Sequence, residues 1–166
     1  MPEGRYVGAR IGLGDVITMG MGVELECRVA ALEEILPLRE AVIIAGTGRP
    51  AEFPGDRDAA TVHFGAFLDG ANVCCGTFML NEWFGEPAYQ LRGMATRPDL
   101  RGRGAGAAML VAAERHIAAH TPVRQLWCSA RIGAVAFYQK CGWSVVSEVY
   151  EVPNVGPHRK MCKRIA

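Results

Sequence analysis

The stretch from Tyr89 to Ile117, YQLRGMATRPDLRGRGAGAAMLVAAERHI, limits the fold more than any other part of the chain. Tyr89 to Thr96 has the length of a strand and ends where Arg97-Pro98 pushes the backbone out of regular pairing. Asp99-Leu100 continues the turn, and Arg101-Gly102-Arg103-Gly104-Ala105-Gly106 makes a glycine-rich loop. An alanine-rich run of high helix propensity follows, with Leu110, Ala113 and Ile117 at helical spacing. A strand, a glycine loop and a helix start in this order form a junction suited to an anion. The first amides of a helix lack intrahelical partners, and the macrodipole adds positive potential there. Glycines 102, 104 and 106 remove Cβ atoms from the approach, and Arg101 and Arg103 add forked donors for phosphate oxygens.

Two well-known phosphate loops fit poorly. A Walker loop needs Gly-Lys-Ser/Thr, which is missing. Gly102-x-Gly104-x-x-Ala107 matches the loose dinucleotide fingerprint, but Thr96 lies six residues before Gly102. The acidic residue wanted at the end of the next strand is replaced by Ser129-Ala130-Arg131. A nucleotide-binding oxidoreductase is therefore the weaker reading.

The stretch resembles the acyl-CoA loop of the GNAT-type N-acetyltransferases, Arg/Gln-x-x-Gly-x-Gly/Ala, matched by Arg101-x-x-Gly104-x-Gly106. Before it come a strand end, Met94-Ala95-Thr96, and a proline turn, as in that family. A second block, Ala134-Val135-Ala136-Phe137-Tyr138-Gln139-Lys140-Cys141-Gly142-Trp143, is similar to the family's A-x-x-FY-x-x-x-GF/GW. The resemblance covers roughly residues 23–165, and Gly156-Pro157-His158-x-x-Met161 places it close to the ElaA-type or YjcF-like branch. It implies an α/β fold with a mixed central sheet of about six to seven strands, splayed at its centre and flanked by helices. Residues 23–166 would be the acetyltransferase domain and residues 1–22 an N-terminal arm.

Composition sets wider bounds. A chain of 166 residues, half of them apolar, is most simply one domain with one sizeable core. A net charge of +1 points to no nucleic-acid surface. No apolar run approaches the ~18 residues of a membrane span, and Asp15 and several glycines interrupt any secretion signal. Cys27, Cys74, Cys75, Cys128, Cys141 and Cys162 form no Cys-x-x-Cys pair and no metal cluster. They read as reduced thiols, most of them buried, in a cytoplasmic protein without a metal.

Periodicity supplies the remaining elements. Val23 to Val29 alternates as a half-buried strand, and Ala31 to about Ile44 reads as a helix that Pro37 should kink or divide. Thr61 to Leu68 and Val73 to Leu80 are expected to pair through Asp69-Gly70, and Asn81 to Pro87 to form a longer connection. Gln125 to Ala130 is a short strand, Gly133 to Cys141 a short helix, Trp143 to Val152 a strand and His158 to Ile165 the last strand. Met1 to Gly22, with six glycines, is either a flexible arm or a strand lying on a partner.

The resemblance implies acetyl-CoA as cosubstrate and a small-molecule or peptide amine as acceptor, with a homodimer one available assembly. Met94, Ala95 and Thr96 would pair with the pantetheine arm like an added strand. Arg101, Gly102, Arg103, Gly104, Ala105 and Gly106 would hold the pyrophosphate, and Tyr138 would protonate the leaving thiolate. Arg131 stands where many relatives carry an asparagine contacting CoA, so its role is open. The base is open too, between His158, Glu82, Glu86 and water. His63 reads as a sheet histidine, and His116 and His120 as a solvated helix face. A catalytically silent CoA-binding regulatory module is the alternative function.

Overall fold

The computed structural model describes residues 9–11, 14–19 and 23–166. The described chain runs β1 (Ala9–Ile11), β2 (Gly14–Met19), β3 (Val23–Ala30), α1 (Leu32–Arg39), β4 (Val62–Leu68), β5 (Ala71–Trp83), β6 (Glu86–Thr96), α2 (Ala105–His120), β7 (Gln125–Arg131), α3 (Val135–Lys140), β8 (Ser144–Val145), β9 (Tyr150–Val152) and β10 (Gly156–Arg164). One mixed sheet contains these strands in the order β1-β2-β3-β4-β5-β6-β7-β10-β8, with β9 also on β10. Neighbours are antiparallel except β6 and β7, which are parallel. A parallel return needs a crossover, and α2 provides it.

Helices cover both faces. On one, α2 and α3 bury Leu110, Ala113, Ile117 and Tyr138 against Phe64, Phe78, Leu91, Leu126 and Met161. On the other, Ile35 and Leu38 of α1 pack on Phe67, Cys75 and Ala95. The mixed, helix-flanked sheet is the expected one, with more strands than the expected six or seven because short pieces join at both edges. Of residues 1–22, β1 and β2 are described; β2 pairs with β3, so this segment extends the chain's own sheet. The remainder of that arm lies outside the described residues.

Local chemistry explains three departures from the expected elements. Helix α1 runs through Pro37 because Leu32, Ile35, Leu38 and Arg39 are buried around it, and the change comes at Glu40–Ile44, a wider π-helical turn. The connection expected over residues 81–87 is a tight hairpin, with Phe84 and Gly85 both at positive φ (49° and 81°). Asp69-Gly70 does the same at 49° and 80°, as expected of a primed turn. Phe84, 91% exposed, hid the second turn because phenylalanine is no turn former. The single strand expected over Trp143 to Val152 is split into β8 and β9. Between them the Ser147 hydroxyl oxygen accepts the Lys160 amide at 2.8 Å, replacing a ladder bond with a side-chain one.

The central feature is where β6 leaves β7. Their pairing runs from Ala88 opposite Gln125 to Leu91 opposite Cys128 and then stops, although β6 continues to Thr96 and β7 to Arg131. On its other side β6 carries a bulge: Thr77 faces Arg92 and Cys75 faces Ala95, so Gly93 and Met94 share one position of β5. Gly93 has φ 60°, and a Cβ there would sit 2.9 Å from Nε of Arg39 and 3.0 Å from the Phe53 ring. A bulge bends and twists its strand, which opens the V between β6 and β7.

Beneath the bulge lies a buried ion pair. Arg39 Nη1 donates to Asp56 Oδ2 at 2.6 Å and to the Ala51 carbonyl at 2.9 Å, and Nη2 donates to the Thr77 hydroxyl at 2.6 Å. Both charged side chains are fully enclosed. His63 bridges Thr77 (2.8 Å) and the Asp56 carbonyl (2.9 Å), which makes it the sheet histidine expected of it. Helix phase marks Arg39: it falls four residues after Ile35 and seven after Leu32, on the apolar stripe. Removing one partner strands a buried charge, which costs about 3–5 kcal/mol. Asp56→Ala is therefore expected to lose about that much stability in urea denaturation. Glu33→Ala, which breaks an exposed contact to Arg57, should leave the urea midpoint nearly unchanged.

Candidate active site

The open half of the V gathers most of the residues singled out in the sequence. Met94, Ala95 and Thr96 form the free stretch of β6, and Ser129, Ala130 and Arg131 that of β7. Ala95 turns into the α1 core, while Met94 and Thr96 turn toward α2, where the Thr96 hydroxyl meets the Cys74 thiol at 3.3 Å. Tyr138 comes up from α3, and its hydroxyl lies 3.4 Å from Met94 Sδ. Phe137 and Trp143 hold its ring at centroid distances of 5.2 and 5.5 Å. Burial, helped by Cys128, Cys74 and Cys141, holds this phenol well above its usual range, so it stays a proton donor at neutral pH.

The glycine loop leads into α2 as expected, and each glycine has its own reason. Gly102 and Gly104 have φ 75° and 90°, and a Cβ on either would project into open space. Gly104 caps α2 in the left-handed region with no side-chain cap, which leaves the first amides of the helix to other acceptors. Gly106 is different: a Cβ there would meet Phe137 at 3.0 Å and Met94 at 3.1 Å. It brings α2 close to Met94, beside the Tyr138 hydroxyl, and to Phe137, beside the Tyr138 ring. Arg101 and Arg103 are exposed at the loop and Ala105 is buried under it. The set fits a phosphate chain: unclaimed amides, unobstructed glycines and two exposed guanidinium groups at one end of the V.

The candidate bases separate by position. Glu82 and Glu86 flank the Phe84-Gly85 turn, at the end of β6 where the V is closed, and Glu86 lies beside Arg164 at 3.5 Å. Five residues of strand, roughly 17 Å, separate Glu86 from the last β6–β7 pair at Leu91, so neither carboxylate reaches the open half directly. His158 is buried on β10 opposite Arg131, at the open end. Its Nδ1 lies 2.8 Å from the Gly156 carbonyl and so carries a proton, and Nε2 meets no hydrogen-bond partner among the described residues. Arg131 is exposed at the end of β7. His116 and His120 stack on each other, and His116 packs against Phe64 instead of facing only solvent, with burial lowering its pKa.

The sequence reading missed a group on the α1 side of the V. Trp127 packs on Trp83 at 5.3 Å, the rings tilted by 31°, and donates to Asn81 Oδ1 at 2.9 Å, while the Asn81 amide donates to Gln90 at 2.8 Å. Lys160 lies over the Trp127 ring at 4.7 Å. Strand alternation would have put Trp127 on the face opposite Leu126 and Cys128, but the neighbour across the sheet was not readable.

The sequence model of the Acetyltransferase (GNAT) family matches residues 30–143. The chain belongs to the GNAT acetyltransferases. YitI of Bacillus subtilis (strain 168), an uncharacterised N-acetyltransferase, is 29% identical over 148 residues, 85% of this chain and 97% of the relative. Escherichia coli ElaA has the same fold, with a TM-score of 0.69 at 20% identity, covering 86% of this chain and 99% of the other. An aminoglycoside 6'-N-acetyltransferase complexed with coenzyme A matches at a TM-score of 0.61 and 13% identity, over 81% and 90% of the two chains. The GNAT resemblance drawn from Tyr89 to Trp143 holds.

Three cysteines of this GNAT protein are buried too deeply to ionise readily. Burial pushes the thiols of Cys74 up to about 11 and of Cys75 and Cys128 up to about 12. Unfolded thiols ionise near ~8.5, so above that pH the unfolded chain gives up protons that the folded one keeps. Stability is therefore expected to fall as pH rises from about 8.5 towards 11. Urea denaturation at stepped pH checks this, and Cys128→Ala should show a shallower alkaline slope.

Proposed function

We propose that this GNAT enzyme moves an acetyl group from acetyl-CoA to an amine by direct attack within a ternary complex. The observation that carries the reading is the end of β6–β7 pairing after Leu91 and Cys128, with the Tyr138 hydroxyl beside Met94 at the opening. The uncapped start of α2 and the loop from Arg101 to Gly106 would hold the pyrophosphate. The free edge formed by Met94, Ala95 and Thr96 would bond the pantetheine amides as a strand would. Acetyl-CoA supplies an activated acyl group with a thiolate leaving group. The acceptor is a small-molecule or peptide amine, and the thiols, four of them buried, support a reducing, cytoplasmic setting.

The steps balance without a covalent enzyme intermediate. The amine nitrogen attacks the thioester carbonyl carbon, a C–N bond forms and the C–S bond breaks. The electron pair left on sulfur takes the Tyr138 proton, and the proton lost by the amine returns to Tyr138 through water. His158 shares the Lys160 face of β10, across the sheet from Tyr138, so water is the carrier of that proton. A buried phenol is suited to this role: desolvation disfavours its anion, so it re-protonates readily.

Tyr138→Phe keeps the ring packing and removes only the hydroxyl. The single-turnover rate should fall ~10²- to 10⁴-fold, with affinity for acetyl-CoA nearly unchanged. An unaltered rate would reduce Tyr138 to a packing residue. Gly104→Val should weaken CoA binding by at least tenfold in calorimetry, because it disturbs the left-handed cap and obstructs the amides. Acetyl-CoA binding with no transfer to any amine in a broad panel would instead favour the regulatory module.

A further inference from the structure

We propose that the acceptor amine carries a carboxylate, received by Arg92 and Lys160 over a floor formed by Trp127. This rests on the acyl-transfer reading above and names the substrate class of that site. Register places Gln90 beside Trp127 and Trp127 beside Cys162; one step further, Ser129 lies beside Lys160. Leu126, Cys128 and Met161 turn into the core under α2 and α3, so Trp127, Ser129 and Lys160 present the opposite face. Arg92 shares that face, since it lies two residues beyond Gln90 and before the bulge. The row Arg92, Ser129, Lys160 therefore crosses the V one step past the last β6–β7 pair, on the face away from Tyr138. Helix α1 packs on β4, β5 and β6. Among the described residues, the same face of β7 and β10 is left to half-exposed Trp127, Tyr150 and Lys160.

Positive charge collects here with no carboxylate bonded to it among the described residues. Lys160 Nζ sits 4.7 Å from the Trp127 ring and 5.8 Å from the Tyr150 ring, with no hydrogen-bond acceptor among the described residues. Arg92 Nη1 meets the Pro54 carbonyl at 3.3 Å and Met79 Sδ at 3.0 Å, both neutral. Asp56 reaches Arg92 only through its field, because its oxygens are engaged by Arg39 and the Phe53 amide. Elsewhere Arg28, Arg39, Arg57, Arg97 and Lys163 each hold a carboxylate oxygen at hydrogen-bond distance. The hydroxyl of Tyr150, whose ring lies 5.8 Å from Lys160 Nζ, is enclosed and has no partner among the described residues. A half-buried guanidinium and an ammonium flanking one opening, with spare donors, are complementary to an anion.

Reaction chemistry favours the same occupant. The attacking amine must be neutral, and nearby cations disfavour its ammonium form, so the pair that binds the carboxylate also prepares the nucleophile. A substrate whose binding group were cationic would meet like charge. Trp127, fixed by Asn81 and Trp83, offers a rigid apolar surface for the body of the molecule. The class is a small amine bearing a carboxylate and an apolar or planar part, of the amino-acid kind.

The test uses the full-length enzyme with acetyl-CoA and matched acceptors: phenylalanine, leucine and glutamate, their primary amides, their decarboxylated amines, and O-phosphoethanolamine. The carboxylates are expected to show kcat/KM at least tenfold above the matched amides. Lys160→Met and Arg92→Met should each raise KM for carboxylates more than they lower kcat, and bring the carboxylate-to-amide ratio towards one. Binding of N-acetylphenylalanine and its amide in the presence of CoA, read by calorimetry, gives the same comparison without turnover. Equal or better use of amides or amines, preference for the phosphate, or no binding of any carboxylate overturns the proposal. In each of those results the acyl-transfer reading survives if CoA still binds and acetyl moves. Failure to bind CoA overturns that reading instead.

Discussion

A guanidinium removed from water determines much of this molecule. Arg39 is buried, and Asp56, Thr77 and the Ala51 carbonyl surround its guanidinium. Those partners come from a loop and a strand, so one residue ties α1, the segment before β4 and β5 together. Its Nε lies where a side chain on Gly93 would have to go. The bulge of β6 is thus packed over a charge that cannot move cheaply. A bulge that cannot relax keeps β6 bent away from β7, and the V is the consequence.

An opening in a parallel pair has an unusual property. Ordinarily the ladder uses up the backbone groups of both strands, and an exposed edge invites pairing with another chain. Here the free edges of β6 and β7 face each other inside the sheet, where only a narrow, extended partner fits. Helix α2 must begin just beyond the end of β6, since the crossover that makes the pair parallel starts there. Its uncapped amides and the free strand edges are therefore neighbours by topology, and they suit the phosphate and amide portions of one elongated molecule. The two faces of the opening differ as well. Tyr138 approaches through Met94 from the crowded α2 side, and Trp127, Arg92 and Lys160 line the more open side. A phenol in a dry, packed environment and an accessible cationic face are thereby separated by the thickness of a sheet.

The elements near the glycine loop were legible because their signals are local. A proline turn, left-handed glycines and an alanine-rich run act over a few residues, and so do the Asp69-Gly70 turn and the His63 environment within an alternating strand. Where the sequence misled, a distant partner decided. The Phe84-Gly85 hairpin forms because β5 and β6 are already in register on either side of it, and Ser147 interrupts a strand because Lys160 offers an amide. Glu82 and Glu86 looked plausible beside two aromatics until the fold put them at the closed end of the V. Arg39 announced itself only as a charge on an apolar stripe, with nothing to show which carboxylate, seventeen residues on, would receive it.

By itself the sequence determined the order of elements from β3 to α3, the glycine loop between β6 and α2, and the place of Tyr138 in the second motif. These follow from backbone preferences of glycine and proline and from hydrophobic period, which act along the chain. The tertiary structure alone decided the bend at Gly93, the unpaired half of β6 and β7, the contact of Tyr138 with Met94, and the alignment of Arg92, Trp127 and Lys160. Each depends on which strands lie side by side. That is fixed by burial of whole faces and by pairing of buried charge, interactions that join residues tens of positions apart.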